Sequence, residues 1–251
     1  MSDEQRLEEK LLSEEAERRI SENLDNVEQI EIDVQTDLLK ILQGQADGVS
    51  VAGEGLVIQQ DLRVQEIKLQ TEAITLNPLS AIFGEIKLDR PVNAIAKMTM
   101  TEADINRALS SDFIEKQMQS FELNVDGEIV SLEAEKIQLF LPSPGKIEFR
   151  GKILLKERGN TRPLAFTAIA RPRKHSQPVM LESFHCTEGE GVSIEFITAL
   201  MHKAKELMKI PYFKWDDIIF RIKDLEVEIG NLILKVEAQV KQIPSSDVIP
   251  L

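Results

Sequence analysis

The stretch VNAIAKMTMTEADIN, residues 92–106, decides the fold class, because a strand pattern runs directly into a helix start. Apolar side chains recur at every second position and fall on one side of an extended chain: Val92, Ala94, Ala96, Met98 and Met100. Such alternation is typical of a strand with one dry and one wet face. Thr101 and Asp104 then have capping-box spacing, which predicts a helix over about 102–120.

The same two patterns recur on both sides of this stretch. Ile30, Ile32 and Val34 alternate with polar residues, and similar runs follow up to residue 240. A second amphipathic helix is predicted from its N-cap Ser193 to about Met208. Strict alternation of strands and helices is missing, which argues against a doubly wound parallel sheet. The prediction is an α+β protein with a long, curved, mainly antiparallel sheet packed on two amphipathic helices.

The domain organisation follows from these boundaries. Residues 1–24 form a charged N-terminal helix, 25–243 a single α+β domain, and 244–251 a tail. The echo between GEGL at 53–56 and GEGV at 189–192 allows two pseudo-repeats, 25–121 and 122–243. The N-terminal helix is expected to pack on the body of the protein, with binding of a protein partner as the open alternative.

Composition excludes several classes of function. The net charge of -13, one tryptophan and one tyrosine argue against binding nucleic acid, which needs positive charge and stacking side chains. No leader-like or membrane-spanning stretch is found, so we expect a soluble protein that is cytoplasmic or peripheral to a membrane.

No catalytic or metal-binding motif is present. His175, His185 and His202 have no metal-ligand spacing, and Cys186, adjacent to His185 in a strand, should point to the opposite face. Neither a nucleophile elbow nor a nucleotide fingerprint occurs. The sequence therefore predicts no enzyme, no metal and no cofactor. An enzyme acting on lipid is kept as a minor alternative.

One segment is strongly basic within this acidic chain, the predicted hairpin within residues 146–171 and the residues just after it. Arg150, Lys152, Lys156 and Arg158 have matching parity and should line one face. Lysine and arginine there could bind the phosphate of a lipid head group. The candidate head-group residues are Arg150, Lys152, Lys156, Arg171, Arg173 and Lys174. The alternative is that this hairpin pairs with acidic neighbours or keeps an edge strand soluble.

Methionines and long aliphatic side chains follow the two predicted helices. Methionine adapts to irregular apolar partners, so a seam between helix and sheet could hold acyl chains. The candidate groove residues are Phe113, Met118, Ile197, Leu200, Met201 and Met208. Ordinary core packing is the alternative, because stripes at helical spacing usually have that role.

Six segments between about residues 27 and 109 carry a family resemblance: Ile30–Val34, Asp37–Gly44, Val49–Val51, Ile67–Leu69, Ile74–Pro78 and Met98–Asn106. With these segments the chain resembles the LmeA-like phospholipid-binding family of bacteria. The resemblance implies a fold like the elongated lipid-binding rolls and phospholipid binding at an envelope membrane. Members commonly begin with an export signal or anchor, whereas this chain begins with a charged helix.

We therefore expect a non-catalytic protein that binds a phospholipid or another apolar ligand, with a phospholipid or membrane surface as its partner. Its acyl chains would lie in a sheet–helix groove, and the basic hairpin would meet the head group. The alternative is a scaffold or protein-interaction module without a ligand.

Overall fold

The computed structural model describes residues 10–11, 13–18, 21, 24, 26–37, 39–40, 43–57, 63–76, 88–111, 121–157, 159–172, 180–189, 191–209, 213–215 and 218–241. The chain divides into two compact units. Unit 1 comprises residues 1–99, 212–223 and 234–251, and unit 2 comprises residues 100–211 and 224–233. The domain boundaries given above stay a prediction.

Strands make up most of the described structure. They are β1 (Gln29–Gln35), β2 (Gln45–Ala46), β3 (Gly48–Val57), β4 (Arg63–Thr71), β5 (Ile74–Thr75), β6 (Val92–Thr101), β7 (Phe121–Val125), β8 (Glu128–Ser143), β9 (Lys146–Glu157), β10 (Asn160–Arg171), β11 (Met180–Glu188), β12 (Phe213–Trp215), β13 (Ile218–Glu228) and β14 (Asn231–Val240). Two helices have described bounds, α1 (Glu102–Leu109) and α2 (Ile194–Lys209), and Leu39 and Lys40 are also helical. Helical residues 10–11, 13–18 and 21 form the N-terminal helix.

The strands form two main sheets and one small one. A seven-stranded sheet has the order β1-β3-β4-β6-β14-β13-β12, a five-stranded sheet has the order β11-β10-β9-β8-β7, and β2 pairs with β5. Each pair with a described register is antiparallel. The predicted α+β class with a mainly antiparallel sheet is therefore confirmed.

Helix α1 begins where the sequence predicts but ends before the predicted end near residue 120. The Asp104 N–H donates to Thr101 Oγ1 at 3.1 Å, and the same hydroxyl donates to the Asp104 carboxylate at 2.6 Å. The helix ends at Leu109 instead of continuing, because Ser110 closes it and the Ser111 hydroxyl bonds the Ala108 carbonyl. The rest of the predicted helix, residues 112–120, lies outside the described residues.

Helix α2 agrees with its prediction. The Phe196 N–H donates to Ser193 Oγ at 3.1 Å, so Ser193 caps the helix as expected. Strand β8 continues through a change in alternation. Its apolar positions change parity between Ala134 and Ile137, and a register shift between Ala134 and Lys136 absorbs this change within one strand.

Side chains of α1 form hydrogen bonds with the β8 backbone beyond the residues of β8 that pair with β7. Asn106 bonds the Leu139 backbone twice: its amide donates to the carbonyl at 2.7 Å, and its oxygen accepts from the N–H at 2.8 Å. The Glu102 carboxylate accepts from the Leu141 N–H at 2.7 Å. These bonds replace a missing strand, since buried backbone groups need partners.

The N-terminal helix does the same for β1, the edge strand of the seven-stranded sheet. The Ile32 N–H donates to Glu17 Oε1 at 2.9 Å, and the Val34 N–H donates to Ser13 Oγ at 3.2 Å. Covering an edge in this way protects it from pairing with other chains. The helix thus packs on unit 1, as expected, and a protein partner for it stays a prediction.

Both clusters of buried apolar side chains among the described residues belong to unit 2. One lies between the five-stranded sheet and α2: Leu123, Val130, Leu132, Ile153, Leu155, Leu164 and Phe196. The other lies beside α1: Ile105, Leu139, Leu141, Ile147 and Val227. Leu132, Leu155 and Leu164 are each at most 2% exposed, so this core is filled by the chain itself.

Candidate functional site

The basic hairpin consists of β9 and β10 in unit 2. Ile153 and Leu155 alternate with the basic residues of β9 and belong to the buried cluster. We call their side of the five-stranded sheet the core face and the opposite side the polar face of unit 2. Arg150, Lys152 and Lys156 lie on the polar face, because side chains at every second position share a side.

Each described head-group candidate has a carboxylate partner. The partners are Arg150–Glu148 at 2.7 Å, Lys152–Glu188 at 3.4 Å, Lys156–Glu133 at 2.5 Å, and Arg171–Glu182. Their pairing agrees with the alternative interpretation, in which this hairpin is neutralised by acidic neighbours. Arg173 and Lys174 lie outside the described residues.

The Glu182 carboxylate illustrates how these pairs affect one another. Burial alone would raise the pKa of Glu182, but hydrogen bonds from Arg171 and Lys146 outweigh burial and hold it below its usual value of 4.5. Glu182 therefore stays ionised and keeps both cations engaged. Arg150 makes a further contact, with its guanidinium 4.4 Å from the centre of the Phe140 ring.

A cavity of about 570 Å³ opens on the polar face of unit 2. Its charged lining consists of Lys136, Arg150 and Lys152 together with Glu148 and Glu188. Three positive charges face two negative ones, so the surplus of positive charge in this cavity is small. The apolar part of its lining consists of Gly151, Ala165 and Phe166.

The candidate groove residues on α2 lie on the core face of unit 2. Ile197 and Leu200 pack against the buried cluster that contains Phe196, and Met201 is half-buried. Phe113, Met118 and the side chain of Met208 lie outside the described residues. The structure therefore separates the two sets of candidates, since those on the hairpin and those on α2 occupy opposite faces of one sheet.

A second apolar surface lies in unit 1, on one side of four neighbouring strands. Ile32 of β1 is opposite Val51 of β3, Val51 is opposite Leu69 of β4, and Leu69 is opposite Ala96 of β6. A second row, one step along the strands, contains Ile30, Gly53, Ile67 and Met98. We call this surface the apolar face of unit 1 and its reverse the polar face of unit 1.

The apolar face of unit 1 is only partly buried. Ile32 and Ala96 are 2% and 7% exposed, but Val51, Leu69 and Met98 keep an intermediate exposure. Unlike the core face of unit 2, it includes no cluster of buried side chains among the described residues. The alternation of apolar residues in the sequence indicates this face, but the face lies on strands, whereas the methionine-containing stripes lie on the helices.

The next feature is the placement of groups suited to catalysis or metal binding among the described residues. His185 and Cys186 point to opposite faces of β11, as predicted, and Cys186 packs against the buried cluster. In the described part of the chain, no three His, Cys, Asp or Glu side chains are grouped so that they could hold a metal ion. Of the helices that are described, none combines the length and apolar character needed to cross a bilayer.

Comparison with known proteins gives one match. A family model described as LmeA-like phospholipid-binding matches residues 3–237, nearly the whole chain. No curated protein and no solved structure matches it.

Proposed function

This chain belongs to the LmeA-like phospholipid-binding family, and from that premise we propose that it binds phospholipid without catalysis, with the acyl chains against the apolar face of unit 1. The observation that carries the proposal is the half-buried state of Val51, Leu69 and Met98 on a continuous apolar face. When an acyl chain packs against an incompletely covered apolar face, its methylenes are removed from water, and each buried methylene contributes about 0.8 kcal/mol to binding.

The core face of unit 2 is a less favourable place for acyl chains than the apolar face of unit 1. Its side chains already fill the space beneath α2, with Leu132, Leu155 and Leu164 almost inaccessible. Opening that seam for an acyl chain would expose packed side chains and create cavities, which costs several kcal/mol. Binding at the α2 seam predicted from the sequence would therefore be the costlier arrangement.

The basic hairpin is the sequence-based proposal for head-group contact. A phosphate there would have to replace Glu148, Glu188 or Glu133 as the partner of a basic residue. Exposed ion pairs contribute about 0–1 kcal/mol, so the exchange itself costs little. The exchange also gains little, because each described candidate already has a carboxylate partner.

Exchange of one methionine for glutamine tests where the acyl chains bind. Met98→Gln keeps the volume of the side chain but places an amide on the apolar face of unit 1. Losing half of the ~2 kcal/mol that a buried methionine contributes predicts about fivefold weaker binding of a fluorescent-acyl phosphatidylglycerol to delipidated protein. Met180→Gln, a change at a 37% exposed position on β11, is the matched control and should change affinity less than twofold.

The competing site has its own variant in the same titration. Met201→Gln alters the half-buried methionine of α2. If Met201→Gln weakens lipid binding and Met98→Gln does not, the acyl chains bind at the α2 seam and the proposal is wrong. Absence of saturable binding by the unmodified protein would reject phospholipid binding altogether.

A further inference from the structure

Strand β7 lies at one edge of the five-stranded sheet, where β8 is its neighbour in the order β11-β10-β9-β8-β7. The turn between β7 and β8 has two residues, Asp126 and Gly127, with φ angles of 52° and 87°. In such a hairpin the flanking pair, Val125 and Glu128, exchanges both backbone hydrogen bonds, and so does every second pair beyond it. The residues between these pairs direct their backbone groups away from β8.

Glu122 and Asn124 are the residues of β7 that direct their backbone groups outward. Their N–H and C=O groups form no hydrogen bond with any described residue. Both residues are exposed, so this edge is accessible to solvent. An accessible edge with unpaired donors and acceptors can bind an extended chain as an additional strand.

A groove of about 680 Å³ runs along this edge, between β7 and α2. Two isoleucines in its lining are largely exposed, Ile129 at 57% and Ile194 at 75%. Ile129 lies on the polar face of unit 2, because its neighbour Val130 belongs to the buried cluster, whereas Ile194 begins α2, which packs on the core face. The two isoleucines therefore flank the edge on opposite sides, where an added strand would direct its alternate side chains.

The groove is negatively charged. Its lining contains the carboxylates of Glu122, Asp126 and Glu195, against the single ammonium group of Lys203. None of the three carboxylates forms an ion pair with a described residue. A second copy of the chain at this edge would bring two such sets of carboxylates together, and like charges destabilise a strand pair. Charge complementarity therefore favours a positively charged partner over a second copy.

We infer that the edge of β7 binds an extended, basic segment of a partner protein, which adds to the five-stranded sheet as a further strand. Backbone hydrogen bonds with Glu122 and Asn124 fix the register of this segment. Its lysine or arginine side chains contact the carboxylates of the groove, and its aliphatic side chains cover Ile129 and Ile194. All of these residues belong to unit 2, whereas the acyl site proposed above belongs to unit 1, so the two functions can be tested separately.

Fluorescence anisotropy with the full chain tests the inference. The probe is a labelled peptide of about seven residues, an ordinary strand length, in which lysine and valine alternate and both ends are blocked. Glu122→Gln with Glu195→Gln should weaken its binding about fivefold, or ~1 kcal/mol for two exposed carboxylates. Glu135→Gln with Glu226→Gln removes the same charge at exposed positions outside the groove and should change binding less than about twofold.

Two further measurements test strand addition itself. Methylation of the backbone nitrogens of the peptide removes its hydrogen-bond donors but keeps every charge, so it should abolish binding. Residue-resolved hydrogen exchange should show that bound peptide slows exchange at the Glu122 and Asn124 amides. The Leu123 amide, which already bonds β8, should change little.

Several results would overturn the inference. Equal losses in both double variants would reflect net charge alone, and undiminished binding of the methylated peptide would exclude strand addition. Equally tight binding of a peptide in which glutamate and valine alternate would exclude charge complementarity. A dimer in sedimentation equilibrium that the lysine–valine peptide dissociates would identify a second copy as the occupant. Absence of saturable binding by the unmodified protein would reject a basic partner at this edge.

Discussion

Substitution of Asn106 tests most sharply how α1 is held against β8. Its side chain makes hydrogen bonds of 2.7 and 2.8 Å with the carbonyl and N–H of Leu139, a residue that is 7% exposed. Asn106→Leu keeps the size of the side chain and suits a helix, but it offers no polar atom. Both backbone groups of Leu139 would then lack partners in a site with little access to water.

The size of the effect follows from these two groups. An unsatisfied buried backbone group costs about 1–3 kcal/mol, and partial relaxation of α1 recovers some of this cost. We expect Asn106→Leu to lower the free energy of unfolding by about 2–4 kcal/mol, with the denaturant m-value unchanged. The assay is urea denaturation followed by far-ultraviolet circular dichroism.

A matched control separates the buried bonds from the loss of any asparagine. Asn124 accepts a hydrogen bond from the Gly127 N–H at 2.8 Å in an exposed turn. Asn124→Leu should therefore cost less than about 1 kcal/mol. If Asn106→Leu costs no more than Asn124→Leu, the side-chain bonds to β8 do not hold α1, and the reasoning is refuted.

Further predictions concern the helix cap, the core and the acidic partners. Thr101→Ala should lower the free energy of unfolding by about 1 kcal/mol through loss of the cap on Asp104, whereas Thr101→Ser should retain most of it. Leu155→Ala, at 1% exposure, should cost about 2–5 kcal/mol, and a cost under 1 kcal/mol would contradict a filled core in unit 2. Because the Glu237 pKa is held below 4.5, its contribution to stability is present above that pH and is lost as the pH falls below it. Glu237→Gln should flatten the acid branch of a stability-against-pH curve, and an unchanged acid branch would contradict the ion pairs.

Local sequence patterns predicted the elements well. Strands β1 and β6 could be predicted because their apolar residues recur at every second position. The helix caps at Thr101 and Ser193 could be predicted because a capping hydroxyl bonds a backbone N–H only three residues away. The early end of α1 at Leu109 could not be predicted from the sequence. It depends on which local hydrogen bonds Ser110 and Ser111 form, and helix propensity does not decide between them.

Long-range features of the candidate sites could not be predicted, because they depend on strand register. Parity predicted that Arg150 and Lys152 share a face, but Glu188, the partner of Lys152, is 36 residues away in sequence. Lys68 and Lys97 are likewise far apart in sequence, and only the pairing of β4 with β6 brings them opposite one another.

Photo-crosslinking locates the acyl chains most directly. Delipidated full-length protein would be loaded with a phosphatidylglycerol that carries a diazirine near the end of one acyl chain, irradiated and digested. The account predicts crosslinks on the β3, β4 and β6 peptides, at Val51, Ile67, Leu69 or Met98. Crosslinks confined to α2, or spread over exposed residues without preference, would contradict it.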